Sequence, residues 1–138
     1  MPVIRIAVAA FAMLLVGSSL PAFGACEVDI ESNDMMQFNK DAIEVDSSCE
    51  SVTLNLEHVG DLPASAMGHN WVLTKKADFK DVAQAGTKAG MENDYVPPED
   101  DRVIAHTEVI GGGESTSITF SIAELDPDES YQFFCSFP

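Results

Sequence analysis

Apolar and polar positions alternate in short bursts along most of the chain. Val28 and Ile30 stand between Glu27, Asp29 and Glu31, and Ile118, Phe120 and Ile122 are separated by Thr119 and Ser121. A period of two is the pattern of a strand with one face in a core and the other in water. Comparable runs occur at Ala42–Val45, Val52–His58, Asn70–Thr74, Arg102–Ile110 and Tyr131–Phe134. Turn-forming residues lie between them: Asn33-Asp34, Gly60-Asp61-Leu62-Pro63, Pro97-Pro98, Gly111-Gly112-Gly113 and Asp126-Pro127-Asp128. Short strands punctuated in this way predict an all-β antiparallel sandwich or barrel. Residues 76–91 depart from the pattern. They are rich in Ala and Lys, and Ala77, Val82, Ala83 and Ala85 form only a weak apolar stripe. They predict a short helical flap broken at Gly86 and Gly90.

The first 24 residues follow another rule. One charged side chain, Arg5, precedes an apolar run from Ile6 to Val16, and small residues then lead to Ala22-Phe23-Gly24. This is the layout of a secretory signal peptide with a cut after Gly24, and the run is too short for a comfortable membrane span. The expected organisation is a leader over residues 1–24 and a single domain over residues 25–138, with no internal repeat. The positive mean hydropathy, +0.05, owes much to the leader. Export also permits disulfides. Cys26 and Cys49 lie close together in sequence and are expected to pair, which makes Cys135 the free thiol.

Length and charge narrow the function. A chain of 138 residues suits one domain, and 7 Lys and Arg against 23 Asp and Glu give a formal charge of −16. Such a surface is not built to neutralise phosphates, so nucleic acid is excluded as the expected partner. No nucleophile elbow, zinc-protease motif or phosphate-binding lysine loop is present, and the clustered acids fall in turn-like stretches.

His58, His69, His106 and Cys135 are left as candidates for chemistry. A thiolate with imidazole partners is a soft donor set that favours copper or zinc over magnesium or calcium. Cysteine-built zinc sites usually carry closely spaced pairs, which are absent here. A single Cys with two His and a weak thioether describes a type 1 copper site, and the residues present fit half of that set.

The segments Cys26–Ile30, Met36–Asn39, Asn55–His58, Met67-Gly68-His69-Asn70-Trp71, Asp101–Thr107 and Phe133-Phe134-Cys135-Ser136-Phe137-Pro138 resemble, in order and spacing, the azurin family of bacterial blue-copper cupredoxins. The resemblance implies an eight-stranded Greek-key cupredoxin sandwich with a helical flap and an N-terminal disulfide. It implies one copper ion held by His69, Cys135 and, weakly, the backbone carbonyl of Gly68. Asn70 would tie the ligand loops together, and the Phe137 amide would donate to the Cys135 sulfur. His58 becomes a buried neighbour of the site and a candidate for pH sensitivity, His106 a surface residue, and Trp71 part of the core. Met67 is expected in an apolar patch beside the metal, Met35 and Met36 in packing.

The implied function is that of a periplasmic one-electron Cu(I)/Cu(II) carrier, not an enzyme, serving redox proteins such as c-type cytochromes or a copper nitrite reductase. The alternatives are a non-redox copper-binding or protein-interaction module on the same scaffold, or a non-functional fragment. The sequence departs from the family at its end. Azurins continue beyond Cys-x-Phe-Pro into a second His ligand, an axial Met and a last strand, whereas this sequence stops at Pro138. The expectation is therefore a truncated chain with its last strand missing, an unpaired sheet edge, and at most weak copper binding through His69 and Cys135.

Overall fold

The structure is a computed structural model that describes residues 2–7 and 26–138. The remainder of the expected leader, including most of its apolar run and the cut after Gly24, lies outside the described residues. Eight strands are present among those described: β1 Val3–Ala7, β2 Glu27–Ser32, β3 Ala42–Asp46, β4 Ser51–His58, β5 Val72–Lys75, β6 Val103–His106, β7 Ser115–Ser121 and β8 Tyr131–Phe134. They form a five-stranded sheet in the order β3-β1-β8-β5-β6 and a three-stranded sheet in the order β2-β4-β7. The all-β sandwich is as the alternation predicts. Two pairings depart from the antiparallel expectation, since β1 runs parallel to β3 and β2 parallel to β4.

Alternation translates directly into packing. In β2 and β4 every second side chain is buried, and Ile30, Leu54 and Leu56 meet Val45, Leu73 and Phe133 in the core between the sheets. Trp71, which is 0 % exposed, stacks between Phe120 and Phe133 at centroid distances of 5.8 and 5.9 Å. Covering a side chain of this class stabilises the fold by roughly 1.5–3 kcal/mol, so this aromatic stack is a large part of what holds the sheets together. The disulfide expected between Cys26 and Cys49 is formed, and it fastens the start of β2 to the approach to β4.

The flap differs from its prediction. A helix, α2, runs unbroken over Phe79–Ala89, straight through Gly86, and stops at Gly90, where φ is 75°. A left-handed residue ends a helix at little cost only as glycine. Gly86 serves a different purpose: a Cβ there would collide with the Tyr95 carbonyl oxygen. It is a contact glycine, tolerated inside the helix because the tertiary approach outweighs its propensity cost of about 1 kcal/mol. Through Val82, α2 packs on Val72, Val96 and Phe134, the outer face of the five-stranded sheet. A four-residue turn of helix, α1 Ala64–Met67, precedes the candidate metal-binding loop and has no signal in the sequence pattern.

Two further differences have local causes. β6 ends at His106 instead of reaching Ile110, because Thr107 turns to the loop before β5: its N–H donates to the Trp71 carbonyl and its Oγ1 accepts the Trp71 N–H, both at 2.9 Å. β1, drawn from the segment expected to be a leader, is paired on both sides, to β3 and to β8.

Candidate metal centre

His69 and Cys135 come from segments 66 residues apart and meet at one end of the sandwich, with His69 Nδ1 3.7 Å from Cys135 Sγ. The Gly68 carbonyl oxygen lies 3.9 Å from the same sulfur. His69 is fixed by its backbone, whose N–H donates to Ile110 O at 3.0 Å and whose carbonyl accepts the Ile110 N–H at 2.8 Å. Its ring is fixed by Nε2, which donates to the Asn33 carbonyl at 2.6 Å. That bond places the proton on Nε2 and leaves the Nδ1 lone pair facing the sulfur, the orientation a metal-binding imidazole requires. Burial pushes the His69 pKa down, partly opposed by the Asn33 carbonyl, so the neutral donor form is favoured.

The sulfur is held in a similar way. Burial pushes the Cys135 thiol up, while the backbone amides of Asn70 and Phe137 point at the sulfur and favour the thiolate. A metal cation would remove the remaining penalty, since a coordinating thiol is deprotonated outright. Asn70 joins the two segments: Oδ1 accepts the Ser136 N–H at 2.8 Å, and Nδ2 donates to Ser136 Oγ and to the Asp94 carbonyl, each at 2.8 Å. Gly68 is required by close approach, because a Cβ would lie 2.6–2.8 Å from Val109, the Ala64 carbonyl and Phe137.

The donor geometry fits a small, soft cation. Metal–sulfur and metal–nitrogen bonds of the lengths seen for zinc, set at a tetrahedral angle, put their donor atoms ~3.5 Å apart, close to the 3.7 Å found here. Among the described residues no group of three or more His, Cys, Asp or Glu side chains converges to hold a metal. The site therefore offers two side-chain donors and one carbonyl. His58 adds no donor although its ring lies 4.6 Å from that of His69. Its Nδ1 accepts the Gly60 N–H at 3.0 Å and its Nε2 donates to the Met67 carbonyl at 2.8 Å, so both nitrogens are committed. His106 is elsewhere and half-buried, bonded to the Thr107 carbonyl and lining a broad groove of about 910 Å³ with Pro97, Asp100 and Glu124.

A cavity of about 550 Å³ opens onto His69 and Cys135, walled by Pro2, Met36, Phe38 and Lys40. Met35 and Met36 are 72 % and 50 % exposed, which corrects the packing role expected for them; the polar turn that carries them offers no core-facing position. Met67 is half-buried. Asn33 and Asp94 were missed as supports because each acts on the site through its backbone carbonyl, which any residue type supplies. Their only sequence signal is membership of a turn.

Comparison with known proteins agrees with this geometry. The description of copper-binding proteins of the plastocyanin/azurin family matches residues 24–138. The azurin of Achromobacter denitrificans is 54 % identical over 134 residues, covering 96 % of this chain and 90 % of that protein. That of Alcaligenes faecalis is 58 % identical over 114 residues, covering 83 % and 89 %, and one from Pseudomonas aeruginosa is 52 % identical over 121 residues, covering 87 % and 82 %. The chain belongs to the plastocyanin/azurin family of copper-binding proteins.

Proposed function

We propose that this chain is a blue-copper electron-transfer protein in which His69 Nδ1, Cys135 Sγ and the Gly68 carbonyl hold one copper ion. The observation that carries the reading is the meeting of His69 Nδ1, at 3.7 Å, and the Gly68 carbonyl, at 3.9 Å, on the one free thiol among the described cysteines. Bound copper supplies a one-electron Cu(II)/Cu(I) couple. The protein's part is to hold the donors still. The Asn33 carbonyl fixes the His69 ring and Asn70 locks the Cys135 loop to the His69 loop, with His69 buried and Cys135 partly buried at the sandwich end. Donors that cannot rearrange make the change of oxidation state inexpensive. The Asn70 and Phe137 amides draw charge from the sulfur and thereby favour the reduced state.

Export to the periplasm is part of the reading, supported by the leader-like residues 1–24 and by the Cys26–Cys49 disulfide. The partners would be redox proteins, with c-type cytochromes and copper nitrite reductases as the expected classes. Exposed Met35 and Met36, close to the site, give such partners an apolar surface. Among the described residues no helix is long and apolar enough to cross a membrane.

The experiment is spectroscopic. Cu(II) is added to this chain and to a version extended beyond Pro138 by Gly-His and a nearby Met. The extended protein is expected to show an intense thiolate-to-copper band in the visible and a reversible one-electron couple, both lost in Cys135→Ser. In the 138-residue chain, copper binding is expected to be weak and to require His69 and Cys135 together. An extended protein that stays colourless, or a Cys135→Ser variant that keeps the colour, overturns the reading. Tight copper binding without a reversible couple would favour a non-redox copper-binding module.

A further inference from the structure

Asp94 stands at a corner where three segments around the candidate metal centre meet. It ends a 3-10 turn, Met91–Asn93, and both Asp94 and Tyr95 are left-handed, each with φ of 53°. Two successive side-chain-bearing residues in that region persist only where their surroundings hold them. Here the Asp94 N–H donates to Met91 O and the Tyr95 N–H to Gly90 O, each at 3.0 Å. The Tyr95 carbonyl rests on Gly86 of α2, where no Cβ fits. The corner is thus anchored on the helical flap, independently of the candidate ligands. From that anchor it reaches both ligand segments. The Asp94 carbonyl accepts Asn70 Nδ2 at 2.8 Å, and its carboxylate Oδ1 accepts the Val109 N–H at 2.9 Å. Val109 precedes Ile110, whose N–H and carbonyl both pair with the His69 backbone, and its side chain closes over Gly68, 2.6 Å from where a Cβ would stand. The Tyr95 ring meets that of Phe137, next but one to Cys135, edge-on at 5.5 Å. Any residue could make the backbone contacts. The Val109 bond needs a short side chain that ends in an acceptor and tolerates a left-handed backbone, a combination supplied by Asp and Asn.

We propose that Asp94 is a positioning residue: its carboxylate, presented by the corner anchored on α2, fixes the Val109–Ile110 segment and through it the place of His69 and the Gly68 carbonyl relative to Cys135. The backbone of this segment is tied at one end by Thr107, whose N–H donates to Trp71 O, and at the other by Ile110 on His69. Between those points the Val109 N–H is held by Asp94. Loss of that bond loosens the bridge on which His69 stands. The consequence for copper rests on the function proposed above, whereas the placing of His69 is a property of the metal-free chain.

Three substitutions separate the side-chain bond from the backbone conformation. Asp94→Asn keeps an acceptor and the left-handed tolerance, Asp94→Gly keeps only the tolerance, and Asp94→Ala keeps neither. Amide hydrogen exchange on the full metal-free chain reads the bridge. Exchange at His69 and Ile110 is expected to speed up about tenfold or more in Asp94→Gly, at least as much in Asp94→Ala, and to stay at the wild-type rate in Asp94→Asn, while β2 and β4 keep their protection. If Asp94→Ala does not fold, the Gly and Asn variants carry the comparison. In the chain extended beyond Pro138, Asp94→Gly is expected to bind Cu(II) about tenfold more weakly, one decade in affinity, and to shift the thiolate-to-copper band, whereas Asp94→Asn keeps the wild-type band. Wild-type exchange at both amides in Asp94→Gly, or equal acceleration in the Gly and Asn variants, overturns the proposal. So does faster exchange in Asp94→Gly with copper band and affinity unchanged, because the corner would then serve the fold and not the donors. A colourless extended wild type sinks the copper reading instead, and the exchange comparison still decides whether Asp94 places His69.

Discussion

Asn70 and Ser136 form a closed pair of hydrogen bonds, the Asn70 Oδ1 accepting the Ser136 N–H and its Nδ2 donating to Ser136 Oγ, both at 2.8 Å. The pair sits immediately after His69 in one segment and immediately after Cys135 in the other, so it sets the distance between the two candidate ligands. Asn70 is 0 % exposed, and Ser136 is buried as well. Asn70→Ala would therefore strand the Ser136 N–H and Oγ, both buried, without water to replace the lost partner. Each orphaned group costs roughly 1–3 kcal/mol, and urea denaturation is expected to show a loss of about 3 kcal/mol. Copper affinity should fall in the same variant, because the Cys135 loop is no longer tied to the His69 loop. Asn70→Ala with unchanged stability and unchanged copper affinity would show that the pair holds nothing.

How far this architecture was legible depended on which groups carried it. β2 and β7 were readable because their burial follows side-chain alternation, and His69 and Cys135 because metal ligation demands those side chains. The continuous helix through Gly86 was not readable, since its glycine answers to the Tyr95 carbonyl, a contact made only after folding. β1 was masked by its own composition, for Val3-Ile4-Arg5-Ile6-Ala7 suits the start of a leader and a strand equally. The support of His69 by Asn33 was hidden for another reason: the acceptor is a backbone oxygen. Nor does any pattern foretell that the Trp71 indole N–H is buried without a partner among the described residues.

Gly68 lets the chain pass where no side chain fits. Gly68→Ala would press a methyl group to within 2.6–2.8 Å of Val109, the Ala64 carbonyl and Phe137. The side chains can yield, but the Ala64 carbonyl belongs to α1, and its backbone must shift with it. Overpacking of this kind costs typically 1–3 kcal/mol. A drop of about 2 kcal/mol in urea denaturation is expected, with weaker copper binding because the Gly68 carbonyl moves relative to Cys135 Sγ. Equal stability and equal copper affinity in the variant would remove Gly68 from the site.

The Cys26–Cys49 bond closes a loop across 23 positions that contains β2 and β3. By loop-closure entropy it restrains the unfolded chain by about 3 kcal/mol. Cys26→Ser with Cys49→Ser is expected to lower stability by about that amount in denaturant titrations followed by the emission of Trp71, which is buried when folded and in water when unfolded. The candidate copper donors lie outside the loop, and Asn33, which lies inside it, follows β2, whose ladder to β4 persists without the disulfide, so copper affinity measured well below the unfolding midpoint should be unchanged. Loss of affinity in the folded double variant would mean that the loop shapes the site.

Asp34 makes stability depend on acid. Its Oδ2 accepts the Asp61 N–H at 2.8 Å and its Oδ1 the Leu62 N–H at 3.2 Å, and these amides, that of Asp61 foremost, hold its carboxyl below the usual carboxylate range. His58 and His69 add in the same direction. A carboxylate with a lowered folded pKa binds its proton more readily in the unfolded chain. Its contribution is therefore complete above the unfolded value near ~3.9 and disappears as pH falls through the lower folded value. Asp100, held down to about 2 by the Arg102 fork, behaves alike but titrates later. Asp34→Asn keeps an acceptor and loses the titration, so its stability should fall less steeply than the wild type's between pH 5 and pH 3. Parallel stability curves for the two proteins over that interval would show that the Asp34 carboxylate is not shifted by the turn it caps.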